Sequence, residues 1–340
     1  MKIQPLMALV VLSLPTVPGA RATTHTWTGA DPSGYWSAPA NWSPAGVPVN
    51  GNDLVFPGGL PPGDMVSTND LPDSNFRSIN FTQAGGHTIR GNPITLTNRT
   101  DAIINSGTNV IVCDLTFSGT PPTLQHQYPT IRDSGGSAEL TVIGNVGGGS
   151  LYFSEEQFGA RSRLVIRGQF TGGSVRVNYG TLALYGDNPN AVSADVQHST
   201  LLVQGSQPNL NIRLFSLVWK TLISSILSGD GQVGDVTGGD YIIPDSTLSV
   251  KNVSVSYLGI RLNGTNVGEY GRLVASGDLS ASSGFLSASA GFNPQAGQVY
   301  TIVEKDISRS GHKCIFRARR DYHQPEWNAF SHQLHRWRWQ

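Results

Sequence analysis

Between Leu140 and Ala275 the chain repeats a phrase in which a leucine opens a short apolar stretch and a glycine closes it. The copies are Leu140-Thr141-Val142, Leu164-Val165-Ile166, Leu182-Ala183-Leu184, Leu201-Leu202-Val203, Leu248-Ser249-Val250 and Leu273-Val274-Ala275. Gly144, Gly168, Gly186, Gly205 and Gly277 follow five of them. In a strand, residues two apart share a face, so each phrase offers two side chains to a core. The first leucines are 24, 18, 19, 47 and 25 residues apart, and 47 reads as about two turns of the shorter spacing. Short strands at such a period, with glycines between them, predict the stacked coils of a β-solenoid.

From Ile79 to about Gln207 the order is strand, turn, strand, with Leu and Ile inward and Thr, Ser, Arg and Gln outward. Asn and Thr suit the corners, where polar side chains can hydrogen-bond from coil to coil. No stretch sustains a period of 3.6, so the chain reads as all-β. Asn211 to Leu227 interrupts the pattern: Leu217-Val218-Trp219-Lys220-Thr221-Leu222-Ile223 is apolar and lacks glycine. A divergent coil, a short amphipathic insertion or a local sequence error each accounts for it. The strand pattern resumes at Leu227.

The two ends differ from the middle. Met1–Ala22 has a basic start at Lys2, an apolar run from Pro5 to Pro15, and Ala20-Arg21-Ala22 as a small-x-small cleavage pattern. These are the parts of a secretory signal, and the run is too short to span a membrane as a helix. Export and cleavage after Ala22 are expected, with no transmembrane helix in the mature chain. Next come Trp27, Trp36 and Trp42 among Gly and Pro turns. A coil stack needs its first apolar layer covered, and three indoles could cover it. The other use of such aromatics is a carbohydrate-binding platform. The flanking turns favour the cap. The expected fold is therefore a right-handed parallel β-helix with an N-terminal Trp-rich cap.

This opening carries a family resemblance. Trp27 and Gly29, then Trp36-Ser37, Pro39, Asn41-Trp42, Pro48 and Asp53-Leu54 with Phe56 follow the pattern W-x-G, W-S-x-P-x-N-W, G-x-P, G-D-D-L-x-F. The chain resembles the secreted passenger-type proteins of environmental bacteria that carry autotransporter-associated β-strand repeats. Asn52 stands where that family usually has Asp. Asn75–Phe81 and Gly86–Leu96 resemble the family's first coils, and Leu262 to Val303 its closing coils. The resemblance extends to about Glu304. It implies a surface structural or adhesive role, without catalytic, cofactor-binding or metal-ligating residues. Extracellular glycans or cell-surface components are the partners it implies.

Composition narrows the chemistry further. Charged residues make up only 14% of the chain and the formal net charge is zero. From Arg309 onward there are seven basic and two acidic residues, which leaves 16 basic and 21 acidic upstream. Such a mildly acidic body is expected to offer no polyanion-binding surface, and so none for nucleic acid. Cys113 and Cys314 form neither a disulfide framework nor a metal cluster, and Cys113 follows Val110-Ile111-Val112 as a buried residue would. Asp230, Asp235 and Asp240 recur among glycines and read as turn aspartates rather than as a calcium loop. Glu155 and Glu156 are adjacent, so in a strand they face opposite ways and cannot flank one glycosidic bond. His25, His87, His126 and His198 are far apart and read as surface or turn residues. The basic residues of the body look scattered, whereas β-helical polysaccharide lyases and hydrolases cluster Asp, Lys or Arg on one sheet face. A polysaccharide-binding or polysaccharide-cleaving β-helix is nonetheless the second reading, because fold alone does not assign function.

The tail departs from all of this. Lys313–Gln340 is basic and rich in Trp and His, with Arg317-Ala318-Arg319-Arg320 and Trp337-Arg338-Trp339. Taken literally, interleaved Arg and Trp suit a membrane surface or a nucleic acid. Synonymous codons for this stretch can instead be chosen so that the plus-one frame is glycine-rich and ends Gly-Asp-Gly-Asn, close to the family's ending. A frameshifted tail is the expectation, and the gene sequence tests it. The chain thus divides into a signal peptide (1–22), a cap with first strands (23–75), repeats and closing coils (76–304), and an aberrant tail (305–340).

Overall fold

The computed structural model describes residues 22–83, 85–98, 100–118, 130–133, 137–155, 162–215, 225–238, 241–292, 295, 298–305, 313–317 and 330–331. The segment read from sequence as a signal peptide, except Ala22, lies outside them, as do 216–224 and most of the tail. Among the described residues the structure is all-β, with one short 3-10 turn at Pro39–Asn41. No helix among them is long and apolar enough to cross a membrane.

The chain winds as parallel coils, each laying strands on successive faces of a common core. On the first face, Asp53–Pro57 pairs with Ser78–Thr82, and Ser78–Thr82 with Ile103–Asn105. Thr130–Asp133, Ser150–Glu155 and the front halves of Ser174–Leu184 and Ser193–Val203 follow in turn. Asn211–Phe215, Val236–Gly238, Val253–Leu262 and Leu279–Ala290 complete the row. Along this row from Asp53 onward, register partners are separated by as few as 17 residues, from Val236 to Val253, and by as many as 28, from Ile103 to Ile131. The stack begins within the segment read from sequence as cap and first strands, since Asp53–Pro57 is already in register with the next coil.

Register explains the apolar pattern. Leu54, Ile79, Ile103, Ile131, Phe153, Val177, Val196 and Leu214 form one continuous inward ladder on the first face. All are buried. On the second face Leu140, Leu164, Leu182, Leu201, Leu227 and Ile242 form another. Each such side chain contributes about 1.5–3 kcal/mol of burial. A slip by one residue would turn a whole strand's apolar set outward, so the register is strongly held.

The spacing of 47 residues is not two turns of one ladder. Leu201 is followed on its own face by Leu227 and Ile242, whereas Leu248 lies on the third face and pairs with Leu273. Coils of unequal length put the same phrase on different faces, and the phrase carries no mark of which face it serves. The interruption is also narrower than the sequence suggests. Asn211–Phe215 keeps register with Ser193–Gln197, and Ile226–Gly229 with Thr200–Val203. What remains of it lies in 216–224, outside the described residues.

Two devices make the corners. The glycines after the phrase stack on one another: a Cβ on Gly168 would stand 2.3 Å from the Gly144 carbonyl oxygen, and one on Gly205 2.5 Å from that of Gly186. Side-chain oxygens then take up backbone donors of the next coil. The Asn145 N–H donates to Asp114 Oδ1 (2.7 Å), the Gln169 N–H to Asn145 Oδ1 (2.9 Å), and the Asp278 N–H to Asn252 Oδ1 (2.7 Å). Between the first two faces the chain bends at Tyr179 (φ 56°) and His198 (φ 51°), both in the left-handed region.

Among the described residues, antiparallel strand pairs occur only near the ends. Thr24–Trp27 pairs so with Trp42–Ser43. Lys313–Arg317 runs antiparallel to Val299–Lys305, and Phe330–Ser331 to Leu279–Ala290.

Candidate functional site: a polar face of the coil stack

Trp27, Trp36 and Trp42 are brought together, and their relative exposure is 0%, 0% and 2%. Trp42 stands edge-on to both others, at 5.1 Å from Trp27 and 5.7 Å from Trp36 between ring centroids. Trp36 also meets Phe56 (5.8 Å) and Phe76 (5.6 Å), side chains of the first coil. Trp27 Nε1–H donates to the Asp64 carbonyl (2.7 Å) and Trp42 Nε1–H to the Trp36 carbonyl (2.9 Å). Rings packed against one another in this way present no open face on which a sugar could stack.

The described histidines are not surface residues. His25, His87 and His198 are 8%, 1% and 5% exposed, and His126 lies outside the described residues. His87 packs against Phe56 and Phe81, and its Nε2 lies 2.7 Å from the Pro57 carbonyl. Burial lowers its pKa below the ordinary 6.5, and burial likewise lowers that of His25. His198 stacks on Tyr179 with 13° between ring planes, at the corner both residues form. A turn residue in a coil stack faces a neighbouring coil, and that contact buries it.

The acidic candidates separate. Asp230 is exposed, while Asp235 joins a corner ladder: its N–H donates to Asn211 Oδ1 (3.0 Å) and its carboxylate accepts from Asn252 Nδ2 (2.8 Å). Asp240, Glu156 and the side chain of Glu155 lie outside the described residues. Among the described residues, no group of three or more His, Cys, Asp or Glu side chains is placed to hold a metal ion. Cys113 is a buried free cysteine, and burial pushes its thiol up to about 11.

One outward surface gathers residues that are scattered along the sequence. Between Ser150 and Phe215 the first face carries three outward rows. Ser150, Ser174, Ser193 and Asn211 form one, Tyr152, Arg176, Asp195 and Arg213 the second, and Ser154, Asn178, Gln197 and Phe215 the third. Asp195 thus lies between two arginines in adjacent coils, and its carboxylate is 3.5 Å from the Arg176 guanidinium. The Arg213 guanidinium lies 4.6 Å over the Phe215 ring. Asn178 Nδ2 donates to the Tyr152 hydroxyl (3.2 Å), and Ser193 Oγ to Ser174 Oγ (2.9 Å). Arg176, Asp195, Gln197 and Phe215 line a shallow depression of about 150 Å³. The signal for this cluster was in the spacing. Asp195 follows Arg176 by 19 residues and Arg213 follows Asp195 by 18, each one coil's length there.

Arginine forks, a carboxylate and carboxamides offer donors and acceptors to a polar ligand beside one aromatic wall. Compared with family models, with curated proteins and with solved structures, the chain matches none, so its function is argued from this parallel coil stack and the side chains it sets in rows.

Proposed function

We propose that the chain is an exported, right-handed β-helix of passenger type, with an adhesive or structural role at the cell surface or beyond it. The observation that carries this is the first face: its outward rows keep register over four successive coils from Ser150 to Phe215. A repeated flat face suits many weak contacts spread along one axis, which is how a solenoid binds. The right hand follows from the twist of L-amino-acid strands, which favours right-handed connections between parallel strands of one sheet. Export rests on the signal-like Met1–Ala22, and the passenger assignment on the opening pattern from Trp27 to Phe56.

Antibody labelling of intact producing cells and their culture medium tests the reading, together with attachment of cells to a solid surface with and without the gene. Labelling outside the cytoplasm with weakened attachment is the expected result. A chain confined to the cytoplasm, or attachment unchanged by its loss, overturns it.

The second reading, a polysaccharide-binding or polysaccharide-cleaving protein, is favoured by Asp195 set between Arg176 and Arg213. Release of new reducing or unsaturated ends from a polysaccharide incubated with the chain would establish cleavage.

A further inference from the structure

We infer that the outward patch around Arg213 binds the carboxylate-bearing sugars of an acidic polysaccharide laid along the stack. The inference rests on the extracellular reading above and names the partner of the same face.

Charge comes first. The row Arg176, Asp195, Arg213 holds two cations and one anion. Arg176 lies against Asp195, whereas Arg213 is exposed and makes no ion pair among the described residues. Its contact is with the Phe215 ring, 4.6 Å away. A cation–π contact positions a guanidinium without using its N–H donors. Those donors form a fork that fits a carboxylate by two parallel hydrogen bonds.

The surroundings select the rest of the ligand. Gln197 and Asn178 offer both donors and acceptors, and Asp195 offers acceptors, which is what a ring of hydroxyl groups requires. Phe215 gives one wall of the depression an apolar surface for the C–H side of a pyranose. Successive coils stand about 4.8 Å apart, so equivalent positions recur along the axis at about the scale of one sugar unit. A nucleic acid fits less well. The acidic balance of the body upstream of Arg309 opposes any polyanion, so binding here must rest on the local groups. Nucleic-acid affinity needs several cations along a phosphate backbone, and this row has one guanidinium outside an ion pair among the described residues.

The test is affinity electrophoresis of the secreted full chain through gels containing polygalacturonate, its fully methyl-esterified form, or polyphosphate. Retardation by polygalacturonate alone is expected. Arg213→Ala should weaken it about tenfold and Arg213→Lys by less, since only the fork is lost. Gln197→Ala, which removes no charge, should weaken it by a smaller factor and decides the matter if Arg213→Ala does not fold. Equal retardation by the methyl ester or by polyphosphate overturns the inference. So does binding that Arg213→Ala and Gln197→Ala leave unchanged, which would place it on the basic tail. Surface labelling without polygalacturonate binding removes this inference alone. Binding by a chain that never leaves the cytoplasm removes only the passenger reading.

Discussion

The carbonyl oxygen of Gly168 lies 2.2 Å from the point that a Cβ on Gly186 would occupy. The obstruction is backbone of the neighbouring coil, so it cannot swing aside as a side chain would. Gly186→Ala must therefore shift one coil against the next. A loss of about 1–3 kcal/mol is expected, the usual cost of overpacking. Gly173 has nothing within 4 Å of its would-be Cβ, and Gly173→Ala should stay within about 0.5 kcal/mol. Denaturant midpoints of the two variants make the comparison. Equal midpoints would show that the coils do not meet at these glycines.

Trp42 joins Trp27 and Trp36 into one packed cluster and contacts Phe56 of the first coil at 5.9 Å. Trp42→Ala removes the ring that touches both others and leaves a cavity the neighbours can only partly close. The expected loss is about 3–5 kcal/mol. Trp42→Phe keeps part of the edge contact and should lose less. A midpoint unchanged by Trp42→Ala would mean that the indole is not in the core.

The alternation of Leu140-Thr141-Val142 and its repeats was enough to expect strands, parallel stacking and an inward ladder, because burial on one face forces a period of two. The same letters could not say which ladder a leucine joins. Leu201 and Leu248 read alike, yet they sit on different faces, since coil length varies and no residue type marks a corner count. The patch on the first face was hidden for a related reason. Arg176, Asp195 and Arg213 look scattered until the chain is folded at intervals of 19 and 18 residues. The histidines misled because polar residues at turns ordinarily face water. His87 is covered by Phe56 of the preceding coil and by Phe81 of its own, which pack on it.

Burial lowers the pKa of His87 from 6.5, with smaller opposing effects from the Pro57 and Met65 backbones. The folded state therefore favours the neutral ring, while the unfolded chain takes up a proton near the ordinary value. Stability from this source is full above pH 6.5 and declines as pH falls below it, until the folded ring also protonates. His25, shifted the same way, adds to the slope. His87→Gln keeps an N–H for the Pro57 carbonyl and removes the titration. Denaturant midpoints from pH 7.5 to about pH 5.5 should fall in the parent and fall less in His87→Gln. Parallel curves would contradict a buried neutral His87.

Cys113 is 6% exposed, and burial pushes its thiol up to about 11. At pH 8 only about one thiol in a thousand would then be ionised, and the thiolate is the reactive form. Its modification by a disulfide reagent should wait for local opening of the coil. In a Cys314→Ser background, the native chain is expected to react at least about a hundredfold more slowly than the denatured chain. Denaturant should raise the rate in step with loss of strand structure if opening is global, or earlier if the coil around Cys113 frays by itself. Native and denatured rates that agree would place Cys113 outside the core, and with it the register that sets Val110 and Ile111 opposite Thr141 and Val142.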